Sequence, residues 1–158
     1  MSPRILLAIL GIATANAFAA DAFEDYCNSR FNFCMDMPAG LKAQPAPENG
    51  DGRTWKGKGG SEVRAWGQWN AAEETMKEAC ESDAKELDSI VLNTVRKDWC
   101  AVSGFKKGKI EYRRRELASG RWVVFDLVYP ASERDFFDGK IGKMAKSLKI
   151  LPMEDDPK

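Results

Sequence analysis

Near its C-terminal end the chain contains the apolar run Trp122–Tyr129, with the sequence WVVFDLVY. Side chains alternate between the two faces of a strand, and apart from Asp126 both faces of this run are apolar. Such a strand must be covered on both sides. Because Pro130 ends the run, we expect a central strand from Arg121 to Tyr129 with packed layers above and below it.

Further strands are predicted before this central strand. Short turn signals separate three of them, Ile90–Val95, Trp99–Ser103 and Ile110–Leu117. Strands joined by short turns run antiparallel. Upstream, Phe31–Met37 has the alternation of a strand, and Arg53–Lys58 and Glu62–Trp69 flank Gly59-Gly60 like the arms of a hairpin.

Two helices are predicted between and after these strands. Asn70 is a good N-cap for the first, with Glu73 completing a capping-box pattern, and Ser132 is the predicted N-cap of the second. Gly139 and Gly142 weaken the second helix by about 1 kcal/mol each relative to alanine. The expected apolar stripes are Ala72, Met76, Cys80, Ala84 and Leu87 in the first helix, and Phe137, Ile141, Met144 and Leu148 in the second.

The element order is therefore about three strands, a helix, four strands and a helix. Both helical stripes and both faces of the central strand need an apolar cover. We predict an α+β fold with a mostly antiparallel sheet of about six to seven strands and a helix on each face. The predicted single domain spans residues 20–152, and residues 153–158 are expected to be a disordered acidic tail.

The N-terminus has the pattern of a signal peptide. Arg4 supplies the positive charge, Ile5–Ala13 is an apolar segment, and Ala17-Phe18-Ala19 fits a cleavage site, with Ala15-Asn16-Ala17 as the second choice. The alternative is a membrane anchor, but Thr14 interrupts the apolar segment before it reaches about 20 residues. We expect residues 1–19 to be cleaved and the protein to be periplasmic or secreted, without a membrane anchor.

Four cysteines occur at positions 27, 34, 80 and 100. An even number in an exported chain indicates disulfides, and three pairings are possible. We favour Cys27–Cys34, which closes a short loop, and Cys80–Cys100, which would join the buried face of the first helix to a strand. The chain has no histidine and no C-x-x-C pair. We therefore expect no metal site and no cofactor.

Charge and composition limit the classes of partner. The chain has 24 basic and 24 acidic residues, which are interspersed. A nucleic-acid partner requires a concentrated basic face, so none is expected. Without histidine, a Ser–His–Asp or Cys–His arrangement is impossible, and the carboxylates of Glu73, Glu74, Asp83 and Glu86 have the pattern of a solvated helix face. We therefore expect that the protein is not an enzyme. We also expect it to be a monomer or a weak oligomer.

Several stretches carry a resemblance to a known family. They are Phe31–Phe33 with Met37–Gly40, then Pro47–Gly52, then Val102–Phe105 leading to Ile110–Arg114, and finally Tyr129-Pro130 with the closing helix. These stretches resemble small exported bacterial proteins with a PsbP/Mog-like α/β/α sandwich. The resemblance implies a non-enzymatic interaction module, because proteins of this shape serve as assembly factors, photosystem subunits, small-GTPase binders and immunity proteins.

The basic run Arg113–Arg115 contains the first candidate site. If Ser119-Gly120 is a two-residue turn, Arg113 lies opposite Asp126, and we interpret this pair as structural. The alternative is a site for an anion or an acidic partner. The candidate partner-binding residues are Arg114, Arg115, Glu48, Asn49 and Asp51.

The expected function is a binding module that docks another envelope or secreted protein, such as an immunity protein or an assembly factor. The alternative is a binder of glycan or peptidoglycan fragments through exposed tryptophans, of which Trp66, Trp69, Trp99 and Trp122 lie on predicted strands. Oxygen ligands in Glu48–Gly52 could hold calcium, but the segment lacks the EF-hand pattern and is better interpreted as a turn.

Overall fold

The structure is a computed structural model that describes residues 22–154 and residue 156. The predicted signal peptide lies outside these residues. The strands are β1 (Phe23–Asn28), β2 (Phe33–Pro38), β3 (Lys42–Ala43), β4 (Gly52–Lys56), β5 (Glu62–Trp69), β6 (Ser89–Val95), β7 (Trp99–Lys106), β8 (Lys109–Ala118), β9 (Arg121–Tyr129) and β10 (Lys149–Ile150). The helices are α1 (Met76–Lys85), α2 (Arg134–Phe137) and α3 (Ile141–Ser147), and a 3₁₀ turn at Ala131–Glu133 precedes α2.

The strands form two antiparallel sheets. The larger has the order β3-β4-β5-β9-β8-β7-β6, and the smaller has the order β1-β2-β10. Strand β9 lies in the middle of the larger sheet, as its two apolar faces predict. The β8–β9 turn has a left-handed backbone at Ser119 and Gly120, with φ of 49° and 70°, as a type I′ hairpin requires. This turn sets the register of the hairpin.

One side of the seven-stranded sheet, which we call the aromatic face, holds the larger core. The smaller sheet covers it with Phe33, Met35 and Met37, and the α2–α3 segment covers it with Phe137 and Met144. The sheet itself contributes Trp55, Val63, Ala65, Ile110, Tyr112, Val123, Phe125, Leu127 and Tyr129. All of these side chains are buried, so hydrophobic burial stabilises this face.

The opposite side, which we call the ionic face, is covered by α1. Its apolar core is smaller and consists of Met76, Ala79, Cys80, Ala84, Cys100, Val102, Trp122 and Val124. The buried carboxylates of Asp83 on α1 and Asp126 on β9 lie on the same side. Helix α1 therefore brings charge as well as apolar surface to the sheet.

The first helix begins five residues later than the sequence predicted. Its N-cap is Thr75, which forms a capping box with Glu78, and not Asn70 with Glu73. The side chain of Asn70 instead exchanges two hydrogen bonds with the backbone of Glu74, and Glu73 has a positive φ of 51°. Asn70 therefore closes a turn before the helix, since its side chain competes with helical hydrogen bonds.

The second predicted helix is broken into three short pieces. The 3₁₀ turn is preceded by Pro130 as its N-cap, and Ser132 makes no capping bond. Helix α2 ends at Phe137 and α3 begins at Ile141, with Gly139 between them. The low helix propensity of glycine accounts for the break, and the predicted buried residues Phe137, Met144 and Leu148 still reach the core.

Of the two predicted disulfides, one is present. Cys27 and Cys34 lie opposite each other on β1 and β2 and are bonded. The predicted Cys80–Cys100 bond is absent, because both residues are buried free thiols. They are hydrogen bonded to each other, and the Cys80 thiol also lies 3.7 Å from the Asn93 Oδ1. The burial of both cysteines was predicted correctly, but the predicted disulfide between them was wrong.

The end of the described chain packs against the fold. Arg121 is almost fully buried and donates from Nη1 to the Phe31 carbonyl at 3.0 Å. Its Nη2 donates to the Asp156 Oδ2 at 2.6 Å and to the Leu151 carbonyl at 3.3 Å. Asp156 thus contacts the fold, and the expected disorder of residues 153–158 stays a prediction. No helix within residues 22–154 is long and apolar enough to cross a bilayer.

Candidate functional site

The ionic face contains a network of three arginines and two buried carboxylates. The predicted register holds, with Arg113 opposite Asp126 and its Nη2 3.2 Å from the Asp126 Oδ2. The Arg113 Nη1 also donates to the Asp83 Oδ1 at 2.7 Å. Arg113 therefore joins α1 to the centre of the sheet through two carboxylates.

Each carboxylate binds a second arginine. Asp83 accepts from the Arg115 Nε and, at 2.7 Å, from the Arg115 Nη2. Asp126 accepts from the Arg64 Nε at 3.0 Å and the Arg64 Nη2 at 2.6 Å, because Arg64 on β5 lies opposite it. Such two-point contacts are strong and geometrically specific.

The electrostatics of the network keep the arginines charged. The hydrogen bond with Asp126 raises the pKa of Arg64 above its usual value. Burial lowers the pKa of Arg113 and Arg115, but their hydrogen bonds and charge interactions with Asp83 outweigh burial, and the net shift is upward. The network is thus a set of ion pairs, in which the buried Arg113 Nε is left without a hydrogen-bond partner among the described residues.

The candidate partner-binding arginines both have partners within the fold. Arg115 is held by Asp83 beneath α1, so it is not available to a partner. Arg114 points to the other face, where its Nη2 lies 2.7 Å from the Glu116 Oε1 and its guanidinium lies 4.0 Å from the centre of the Trp99 ring. Their neighbours suit a structural role better than a binding role.

The other candidate residues belong to the loop between β3 and β4. The Asn49 Nδ2 donates to the Asp51 Oδ2 at 2.8 Å, the Asn49 carbonyl accepts from Arg30, and Glu48 is exposed. Strands β4, β5 and β9 separate this loop from Arg114 on β8. The structure therefore does not bring the two halves of the predicted site together.

A groove of about 300 Å³ lies between this loop and the sheet. The Arg53 Nε donates to the Gln44 carbonyl at 3.0 Å and holds the loop in place. A Cβ on Gly52, the first residue of β4, would clash with the Ala65 carbonyl oxygen, so only glycine allows β4 to begin this close to β5. The groove is lined by Gln44, Pro45, Pro47, Asp51, Gly52, Arg53, Thr54, Arg64, Ala65 and Trp66.

Trp66 is the aromatic residue of this groove. It lies on the ionic face beside the core under α1, its Nε1 donates to the Gln68 Oε1 at 3.3 Å, and it is half-buried. The Arg64 guanidinium lies 5.7 Å from its ring centre. An apolar ring flanked by a cation can contact both apolar and anionic groups of a ligand.

The tryptophans do not form one platform. Trp55 and Trp122 are buried. Trp66 and Trp69 are three residues apart on β5 and face opposite sides of the sheet, and Trp69, which is 53% exposed, packs against Phe31. Trp99 is covered by Arg114. These tryptophan rings therefore do not share a surface on which one glycan could stack.

The groove lacks the pair of carboxylates that hydrolysis of a bound glycan would need. Asp83 is buried and bonded to two arginines, in contrast to the solvated position expected from the sequence. Asp51 is the only carboxylate among the residues that line the groove. Glycoside hydrolysis uses a pair of carboxylates that face one substrate, and this groove does not provide such a pair.

Two solved structures share the architecture. The cyanobacterial PsbP (CyanoP) from Synechocystis sp. PCC 6803 is 11% identical with a TM-score of 0.61, over 89% of this chain and 99% of that chain. The Ran-binding protein Mog1p of Saccharomyces cerevisiae is 7% identical with a TM-score of 0.58, over 82% of this chain and 96% of that chain. The chain has a PsbP/Mog-like fold. No protein-family model and no curated protein matches it.

Within this PsbP/Mog-like fold, sequence reasoning missed two members of the ionic network. Asp83 follows Met76 by seven residues and Cys80 by three, so it belongs to the buried stripe of α1. That spacing was a usable signal. Arg64 had no such signal, because it meets Asp126 through the long-range pairing of β5 with β9.

Proposed function

We propose that the protein is a non-enzymatic binding module of the bacterial-type periplasm or cell exterior that docks another envelope protein, as an immunity protein or an assembly factor does. The observation that carries the proposal is the groove between Gln44–Gly52 and Trp66. The disulfide Cys27–Cys34 supports an oxidising compartment. The PsbP/Mog-like fold supports an interaction role.

The residue types of the groove suit recognition of a protein segment. Tryptophan and arginine are enriched among residues that dominate binding energy at protein interfaces. Pro45 and Pro47 restrict the loop, so less entropy is lost when a partner orders it. We infer that an extended segment places an apolar side chain against Trp66 and a polar or acidic group near Arg53.

Capture of partners from a periplasmic extract, followed by mass spectrometry, tests this function. Trp66→Ala removes the aromatic wall of the groove, and Trp69→Ala is the matched control on the opposite face of the same strand. We expect a stoichiometric partner with the unmodified protein and with Trp69→Ala, and its loss with Trp66→Ala. Full binding by Trp66→Ala would exclude the groove, and recovery of no stoichiometric partner at all would contradict the proposal.

A second candidate function is glycan binding, which the exposed Trp69 and the half-buried Trp66 favour. Because these rings face opposite sides of β5, each would stack on a sugar alone. Intrinsic tryptophan fluorescence titrated with peptidoglycan fragments measures this. A saturable change that Trp66→Ala abolishes supports glycan binding at the groove, and a flat response across the fragments excludes it.

A further inference from the structure

Strand β6 is an edge of the seven-stranded sheet and exposes an apolar surface. Its residues Ser89–Val95, with the sequence SIVLNTV, carry no charge. Val91 is 73% exposed, and Ile90, Leu92 and Val95 are also exposed. Phe105 on the adjacent strand β7 extends this surface. Long, apolar edge strands of this kind are ready templates for pairing with another strand.

The other edge of the same sheet lacks these properties. Strand β3 has only two residues, Lys42 and Ala43, and Pro45 follows shortly after. A short strand with a lysine and a nearby proline is a common protection against edge pairing. The sheet is therefore protected against pairing at its β3 edge and open to pairing at its β6 edge.

The backbone of β6 presents hydrogen-bonding groups outward. The Arg96 N–H donates to the Trp99 carbonyl, which fixes the phase of the β6–β7 pairing. Because alternate residues of a strand bond to the same neighbour, Leu92 and Thr94 direct their backbone groups towards β7. Asn93 and Val95 direct theirs away from the sheet. The Val95 carbonyl accepts from the Arg96 Nη1 at 3.0 Å, so an added strand reaches the backbone groups of Asn93.

The charges that flank β6 are self-complementary, because an acidic residue precedes the strand and basic residues follow it. Asp88 precedes the strand, and Arg96 and Lys97 follow it. In an antiparallel pair of two identical strands centred on Leu92, Asp88 of one copy lies opposite Arg96 of the other. A two-fold axis produces this contact twice, at both ends of the paired strands.

We propose that β6 is a homodimer interface, in which two copies pair edge to edge and their seven-stranded sheets become continuous. The proposal concerns a different surface from the groove and does not depend on it. The β6–β7 register shifts between Ile90 and Leu92, which leaves Val91 without a partner on β7. Pairing with the second copy gives Val91 a partner, Asn93, and covers the most exposed large apolar side chain of the sheet.

Sedimentation of the purified protein at micromolar to submillimolar concentrations measures the assembly. We expect twice the chain mass, and Arg96→Asp should weaken the dimer by about tenfold or more, since it brings like charges together at both ends. The double variant Asp88→Arg/Arg96→Asp restores complementarity and should restore the dimer. Lys42→Asp on edge β3 is the matched control and should leave the mass unchanged.

Cross-linking tests the register. A pair of residues at the two-fold axis that does not exchange backbone hydrogen bonds has Cα atoms about 4.5 Å apart, which a disulfide can span. Leu92→Cys should therefore form a covalent dimer on mild oxidation, whereas Ala43→Cys and the unmodified protein should not. A monomer at every concentration, an unchanged Arg96→Asp dimer or an absence of Leu92→Cys cross-links would overturn the proposal.

Discussion

The two faces of the seven-stranded sheet are stabilised in different ways. The aromatic face is covered by a second sheet and the α2–α3 segment, and its core is built from apolar side chains such as Phe33, Phe125 and Phe137. The ionic face is covered by α1, with the buried carboxylates of Asp83 and Asp126 among its arginines. Apolar burial is non-directional, whereas a buried charge must keep its partner. The ionic face should therefore be more sensitive to single substitutions that remove a charge.

The largest expected effect is at Asp83. Asp83→Ala leaves Arg113 and Arg115 without their shared carboxylate under α1, and removing one side of a buried ionic cluster costs about 3–5 kcal/mol. Urea denaturation measures the free energy of unfolding. The control is Glu86→Ala at the C-cap of the same helix. The half-exposed Glu86 carboxylate pairs with Lys106 at 3.2 Å and with Arg113 at 3.7 Å and contributes about 0–1 kcal/mol. Equal effects of the two variants would contradict the importance of burial.

Removal of the disulfide should have the second largest effect on the free energy of unfolding. This bond joins β1 to β2 in the small sheet that covers the aromatic face. Closing the short Cys27–Cys34 loop stabilises the fold by about 2–3 kcal/mol in the chain-entropy model. The double variant Cys27→Ala/Cys34→Ala should lose this amount in thermal or urea unfolding. A reductant should destabilise the unmodified protein and leave the variant unaffected. If the reductant destabilised both equally, another bond would be responsible.

The third comparison is between neighbouring arginines on opposite faces. Arg113→Ala should cost about 1–3 kcal/mol, because Asp83 and Asp126 each retain a second arginine. Arg114→Ala should cost less, about 1 kcal/mol, because it removes one ion pair and the contact with Trp99. Thermal unfolding ranks the two variants. A greater loss in Arg114→Ala would reverse our interpretation of the two faces.

The smallest expected effect concerns the thiols of the ionic face. Burial raises the pKa of Cys80 and Cys100, so both remain protonated at neutral pH and react slowly with thiol reagents in the native protein. Unfolding in urea without a reductant should release two reactive thiols per chain. Release of none would show that the pair is oxidised after all, and rapid reaction in the native state would contradict its burial.

Local signals predicted much of this structure. The Ser119-Gly120 turn gives the register that brings Arg113 opposite Asp126, because a two-residue turn fixes the pairing of its strands. Long-range pairing was not predictable in this way. No local rule aligns β5 with β9, so Arg64 could not be assigned to Asp126. The start of α1 was predicted wrongly from the spacing of Asn70 and Glu73. Thr75 and Glu78 have the same spacing, and the packing of Met76 against the sheet favours this later start.

The candidate site was harder to predict than the fold. Asp51 was selected from the sequence and does line the groove, but Trp66 and Pro45 join it only because the β3–β4 loop folds back over β5. Arg115 was selected because it lies in a basic run, and composition alone does not show that α1 covers it. A residue's availability to a partner depends on the layer above it, which is a tertiary property.

The contacts of Arg121 also determine when the chain can finish folding. Strand β2 pairs with β1 early in the sequence and with β10 more than 100 residues later, and Arg121 joins the Phe31 carbonyl to Asp156. A chain that emerges from the ribosome in order cannot close the aromatic face until Lys149–Asp156 has been made. Such long-range closure slows folding. Slow closure would suit the export that we propose, because a nascent chain stays extended long enough to be threaded across a membrane and folds on the far side.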